Sequence, residues 1–378
     1  MPRPSAIINT CSGDNVEPIR LMKPGIRFED VEADFREVFE SGMFTRGHHV
    51  EAFRDELAAY TGAKHVHLAT SATTALWVCL KLLNIGPGDE VAVSDFSFPA
   101  TANVVEDLGA TPIFVDVALD TYNMLVDDLV AKITPRTKAV IFVDALGNPS
   151  GLHQIKAVCE RYGIPLVEDA ACAIGSSEGN RRCGAIADLT CFSFHPRKLL
   201  STGEGGAIAT DCDEWSDWLA VKLAHGADGM KGLGLDFVDY GYNFRLPELQ
   251  AVMGRKQLPR LDALIDGRNR VRDDYIRRLI PLGFVPQAVG DDVRYNVQSL
   301  VFTVPEGTDR DALVRQMKAQ GVEATLGTYC LSGTTYFRDR YDNVQPNAAR
   351  LETRTITLPC YEGVPVAAVV DVISELLG

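Results

Sequence analysis

Between Ala63 and Asp211 the chain alternates short apolar runs with stretches of helical periodicity. The runs His65–Thr70, Glu90–Ser94, Pro112–Val117, Ala139–Asp144, Pro165–Asp169, Leu189–Phe194 and Ala207–Thr210 have the length and apolar character of strands. Thr73–Leu83, Ala100–Leu108 and His153–Tyr162 read as helices between them. Apolar strands separated by helices predict an α/β fold, a mostly parallel sheet covered on both faces. No helical stretch separates the last two runs, so that pair is expected to be antiparallel or a tight return.

From Leu246 to Leu279 the pattern is helical and rich in Arg, with Pro259 placed to kink it. A smaller α/β segment follows: a strand over Gln298–Val304, a helix over Asp309–Gln320, a strand over Val322–Leu326 and a last helix over Val366–Leu377. At 378 residues the chain is too long for one small core. Two units are expected, a large one with an N-terminal arm over residues 1–260 and a smaller one over 261–378.

Composition narrows the function classes. Hydrophobic residues make up 46% and charged residues 23%, which excludes a disordered chain. The net charge of -14 argues against a nucleic-acid groove, although a few backbone N–H groups can still bind a small anion. The nine cysteines form no CxxC pair and are odd in number, so they read as reduced thiols rather than disulfides or a zinc site. His48-His49 and His65-Val66-His67 have no carboxylate or Cys at metal spacing, and no metal is expected. The start Met1-Pro2-Arg3-Pro4-Ser5 lacks an apolar signal core and no run reaches membrane-spanning length, so a cytoplasmic protein is expected.

The chemistry concentrates in two places. Glu168-Asp169 closes the apolar strand Ile164–Val167, and a carboxylate buried there needs a partner. Downstream, Ser193-Phe194-His195-Pro196-Arg197-Lys198 runs into the Gly-rich turn Thr202-Gly203-Glu204-Gly205-Gly206. Glycines there let the backbone pass close to a bulky ligand. A strand-end aspartate and a lysine on a tight turn are the pair that pyridoxal 5'-phosphate chemistry needs. The acid keeps the pyridine nitrogen protonated, and the lysine holds the aldehyde as a Schiff base and later moves a proton. Thr70-Ser71-Ala72-Thr73 leaves a strand and opens a helix, a ready site for a phosphate, though equally an ordinary N-cap. Phe98 or Phe96 in Asp95-Phe96-Ser97-Phe98-Pro99 could stack on a ring or serve the core, and Asn243 in Gly241-Tyr242-Asn243-Phe244-Arg245 could cap the following helix.

These motifs resemble the DegT/StrS family of pyridoxal-phosphate-dependent sugar aminotransferases over nearly the whole chain. The resemblance implies a fold-type-I architecture and a homodimer whose active sites lie at the interface. It places Ser71, Ala72, Thr73 and Ser193 at the cofactor phosphate, Phe98 on the pyridine ring, Asp169 at the ring nitrogen and Lys198 at the aldehyde. It brings Asn243 from the partner subunit to the phosphate and sets Arg245 near the substrate entrance. The family generally carries Gln or His where this chain has Cys172, on the side of the cofactor's 3'-oxygen, so that contact departs from the pattern. Family members that are dehydratases carry His at the position of Lys198, so lysine favours transamination.

By resemblance the donor is L-glutamate and the acceptor a nucleotide-linked 4-keto-6-deoxy hexose. The Thr202–Gly206 turn resembles the form found in C4-aminating members. Gly327–Ser332 departs from the usual Tyr-Pro-x-His pattern. A cyclitol or aminobenzoate aminotransferase, a sugar dehydratase and a non-enzymatic cofactor-binding regulator are the alternatives.

Overall fold

Seven strands of the alternating region form one sheet. They are β1 (His65–Ala69), β2 (Glu90–Ser94), β3 (Thr111–Val115), β4 (Thr137–Val143), β5 (Leu166–Asp169), β6 (Leu189–Ser193) and β7 (Gly206–Thr210). Across the sheet the order is β1-β7-β6-β5-β4-β2-β3. The run from β3 to β6 is parallel throughout. β7 returns antiparallel to β6, as expected for a pair with no helix between its members, and β1 is antiparallel to β7. The computed structural model describes residues 17–23 and 25–378.

Burial on both faces explains why these strands read as unbroken apolar runs. Val167, Leu189, Cys191 and Ile208 pack against the helices Ala72–Leu82 and Ala100–Asp107. Val140, Phe142 and Leu166 face the helix Leu152–Tyr162 on the other side. Two helices absent from the sequence reading, Phe28–Ser41 and His48–Thr61, precede the sheet. Each ends on a glycine in the left-handed region, Gly42 and Gly62, which stops the helix without a side-chain penalty.

The long Arg-rich stretch breaks where Pro259 requires it, into Glu248–Gln257, a short 3-10 turn Leu258–Arg260 and Leu261–Leu279. It starts at Glu248 rather than Leu246, because Pro247 holds an extended conformation and disfavours a helical residue before it. Beyond it four short strands, β8 (Val285–Pro286), β9 (Leu300–Thr303), β10 (Thr325–Leu326) and β11 (Thr355–Leu358), form an antiparallel sheet of order β8-β9-β11-β10. The strand expected over Val322–Leu326 is shorter, since Val322 bridges Ile19 of the N-terminal segment instead.

The long helix is tied to the second sheet by one buried cation. Arg268 donates Nε to the Val297 carbonyl at 2.8 Å, Nη2 to the Gln298 carbonyl at 3.0 Å and Nη1 to the Cys360 carbonyl. These bonds hold Val297 at φ +54°, a conformation that a β-branched residue adopts only under constraint. Arg268→Met, similar in reach but without donors, leaves three enclosed carbonyls unpaired. It should destabilise the protein by about 2–5 kcal/mol in urea unfolding. A loss under about 1 kcal/mol would show that the guanidinium is not the tie.

Candidate active site

The sheet register assembles the site. Ala69, Gly206 and Ser193 lie side by side across β1, β7 and β6. The turn that follows Ala69 therefore sits next to Ser193, and Asp169 pairs with Cys191 one strand over. β7 passes the turn so closely that a Cβ on Gly206 would lie 2.5 Å from the Ser71 carbonyl carbon and 2.7 Å from the Ala72 nitrogen. Only glycine fits there.

Ser71 caps the helix Ala72–Leu82. Its Oγ accepts from Thr74 N–H at 3.1 Å, while Thr74 Oγ1 accepts from Ser71 N–H at 3.1 Å. The capping role is thus real, and it uses the Ser71 oxygen as an acceptor while the hydroxyl keeps its proton to donate. Ala72 and Thr73, next in the helix, keep first-turn N–H groups with no intrahelical acceptor. With the positive helix end they can receive an anion.

Asp169 closes β5 and is buried. Thr101 donates its hydroxyl to Oδ2 at 2.8 Å, and Ala171 N–H reaches Oδ1 at 3.2 Å. Burial pushes this carboxyl above the usual range, and Thr101, the Ala171 N–H and the nearby Lys198 charge pull it back. Thr101 is fixed in turn by Ser97, whose hydroxyl lies 2.9 Å away.

Lys198 stands on the turn after β6, with its N–H on the His195 carbonyl at 2.8 Å. Gln298 brackets it, accepting from Leu199 N–H at 2.8 Å and donating to the Arg197 carbonyl at 2.7 Å. Lys198 Nζ lies 3.1 Å from Cys172 Sγ. Asn296 holds the backbone on that side, donating to the Cys172 carbonyl at 2.8 Å and the Ile174 carbonyl at 3.0 Å. Lys198 and Cys172 line a cleft of about 630 Å³ together with Arg20, Arg197, Glu323 and the ends of β9 and β11.

The two aromatic candidates separate. Phe96 is 0% exposed and packs edge-on against Tyr122 in the core, whereas Phe98 is 65% exposed with Tyr329 beside it. The segment that departs from the family pattern docks here. Ser332 gives Asp95 its N–H at 2.7 Å and its hydroxyl at 2.6 Å, and Cys330 Sγ lies 3.2 Å from the same acid. Burial lifts Asp95 to about 6 in spite of these donors.

Asn243 and Arg245 follow an exposed hairpin, Ala227–Lys231 with Gly234–Phe237. Asn243 is exposed and bridges Ala224 through its backbone. Among the described residues Arg245 Nε and Nη1 are enclosed without a hydrogen-bond partner, and the pKa is lowered by burial and then by the Arg46 charge. Among the described residues all eight cysteines are free, and no helix is long and apolar enough to cross a membrane.

Glu37 of the helix Phe28–Ser41 brings a carboxylate within 4.8 Å of His48 and His49, a neighbour that local spacing could not reveal. Thr101, Asn296 and Gln298 were also missed. They are polar residues whose partners lie far away in the chain, and no local pattern marks them.

The residues fit pyridoxal 5'-phosphate. A helix end with open N–H groups suits the phosphate, an enclosed acid suits the ring nitrogen, and a lysine at the floor of a cleft suits the aldehyde. Residues 27–377 match the profile of the DegT/DnrJ/EryC1/StrS aminotransferase family. The spore coat polysaccharide biosynthesis protein SpsC of Bacillus subtilis (strain 168) is 34% identical over 370 residues, 93% of this chain and 95% of that protein. The aminotransferase TlmJ from Streptoalloteichus hindustanus superposes with a TM-score of 0.88 at 29% identity, covering 95% of this chain and 97% of its own. A synthase of 3-amino-5-hydroxybenzoic acid gives 0.88 at 27% identity, over 96% and 99% of the two chains. The fold is that of the fold-type-I enzymes. The chain belongs to the DegT/DnrJ/EryC1/StrS aminotransferase family and is a pyridoxal-phosphate-dependent aminotransferase.

Proposed function

We propose that the chain moves an amino group from L-glutamate to a nucleotide-linked keto-sugar, a 4-keto-6-deoxy hexose. The observation that carries the nucleotide-sugar reading is the pair Arg245 and Arg46. A guanidinium with two enclosed nitrogens unpaired among the described residues, subject to a second cation on a protein of net charge -14, suits an anionic ligand. A diphosphate supplies oxygens that a guanidinium grips in pairs. The likeness to a polysaccharide-biosynthesis protein supports a sugar acceptor.

When bound, pyridoxal phosphate supplies the electron sink that acidifies the donor's Cα–H and carries the amino group between the two half-reactions. The chain supplies the rest. Ala72 and Thr73 N–H groups and the Ser193 hydroxyl bind the phosphate, and Phe98 covers the ring. The Asp169 carboxylate holds a proton at the ring nitrogen. Lys198 Nζ would take the proton from the donor's Cα and return it to the carbon on the far side of the transferred nitrogen, then reverse the transfer with the acceptor. Cys172 lies beside Nζ, where a thiol is a weaker donor than an amide.

Asn243 reaches the phosphate of a second copy in this reading, so the working unit is a homodimer. Its exposure, and the exposed Met230, Leu233, Phe237 and Tyr240 of the preceding hairpin, support a covered position in an assembly. In this reading the cofactor-binding unit ends at residue 260 and the smaller one spans 261–378.

The test is half-reaction spectroscopy on the amine-loaded protein with a panel of nucleotide keto-sugars, cyclitol ketones and aromatic precursors. Turnover with a nucleotide 4-keto-hexose is expected. Arg245→Lys should weaken sugar binding about tenfold or more while sparing the glutamate step. Loss of the glutamate step with sugar affinity intact would assign Arg245 to the donor carboxylate.

Thr101→Val tests the charge on Asp169. The hydroxyl stabilises the ionised form, so its removal raises the acid's pKa further and moves the acid limb of the rate profile to higher pH. A hydrogen bond to a charged group is worth about 1.5–3 kcal/mol, so the rate should fall roughly 10- to 100-fold. An unmoved acid limb would mean that Asp169 does not set it.

A further inference from the structure

The sheet face opposite Asp169 holds a second acidic group that the reaction does not use. Side chains alternate along a strand, so Glu168 points away from the Asp169 face, together with its register partners Phe142 and Thr190. Asp144, just past β4, and Cys183 converge on it, with one side-chain oxygen or sulfur from each of the three within 4.8 Å of the others. All three residues are 0% exposed. Glu168 Oε2 accepts from the Thr190 hydroxyl at 2.7 Å and from Gly184 N–H at 3.3 Å. Among the described residues Glu168 Oε1 and both oxygens of Asp144 have no partner.

The titratable group packed against this pair on its own face is Cys183, while Asp169 and Cys191 lie across the sheet on the other face. None is a cation, and no Lys, Arg or His hydrogen bonds either carboxyl among the described residues. Two ionised carboxylates enclosed together without a cation repel each other and lose their hydration. A single proton between them removes the conflict. It turns two orphaned oxygens into the donor and acceptor of one O–H···O bond, with the Cys183 thiol as a further weak donor.

We propose that Asp144 and Glu168 share one proton and that the pair positions Asp169. The coupling has two routes. Asp144 N–H donates to the Asp169 carbonyl at 3.2 Å, and Glu168 adjoins Asp169 in β5. The shared proton also limits the negative charge behind Asp169 to one unit, so that Asp169 can stay ionised. This second role rests on the reading of Asp169 as the partner of the ring nitrogen, whereas the shared proton does not.

Burial raises both carboxyl groups, and for Asp144 the Glu168 charge adds to it. The folded chain therefore binds a proton that the unfolded chain releases near pH 4. Stability from this source is complete below that pH and is lost as pH rises towards the folded pKa.

The experiment is urea unfolding of the full chain without added cofactor, from pH 5 upward, for the native protein, Asp144→Asn and Glu168→Gln. Each amide keeps a hydrogen bond across the pair but removes the shared proton. The native unfolding constant should rise about tenfold per pH unit more steeply than in either variant. At pH values above the range where Asp95 ionises, the infrared band of a protonated carboxyl should vanish in both. The double variant Asp144→Asn/Glu168→Gln removes the remaining charge, so the acid limb of the glutamate half-reaction should move to lower pH.

Equal pH slopes in native and variant chains would overturn the shared proton. So would a stoichiometric divalent metal whose chelation destabilises the native chain but not Asp144→Asn, since a cation would then hold the cluster. An acid limb unmoved in the double variant would overturn the positioning role.

Discussion

A carboxylate enclosed at the end of a central strand is costly to ionise unless the surrounding chain compensates it. Asp169 is that group, and much of the large sheet's surroundings answers to it. The helix Ala100–Asp107 sets its first turn so that Thr101 reaches the acid, and Ser97 fixes Thr101 from the short strand before Phe98. The chain beyond β5 turns at once, so that Ala171 N–H serves the other oxygen. Lys198 contributes charge from the turn after β6. In the proposed reading the same placement would let the acid meet the ring nitrogen of a cofactor held by its phosphate at the Ser71 turn.

The second requirement is that the lysine be held still while its amine stays free to move. The backbone on either side of Lys198 is gripped by Gln298, and the backbone at Cys172 by Asn296. Both belong to the segment that Arg268 clamps against the long helix. Space is equally controlled. Gly147 has φ +103°, and a Cβ there would lie 2.1 Å from Asn296 Oδ1. The site is therefore built from segments more than 100 residues apart, and the rigidity of one depends on the packing of the other.

That dependence decides what could be read in advance. The seven strands were legible because strands covered on both faces must be apolar throughout, and the break at Pro259 followed from its missing N–H. Lys198, Asp169 and the Ser71 turn carried local signals: a lysine before a glycine turn, an acid closing an apolar strand, a cap opening a helix. Thr101, Asn296 and Gln298 carried none, because their roles exist only once distant strands meet. Register was also hidden. The antiparallel placement of β1 and the opposed faces of Glu168 and Asp169 come from pairing, which composition does not encode. The strand over Val322 was lost to a competitor, the N-terminal segment at Ile19.

The central claim is that Lys198 is the residue that bonds the cofactor aldehyde, and it is open to direct measurement. The protein loaded with pyridoxal phosphate is reduced with borohydride, digested and mapped by mass spectrometry. The account predicts loss of the visible absorption band and a single reduced pyridoxyl label on the peptide containing Lys198. A label on any other lysine, or a chain that takes up no cofactor, would contradict it.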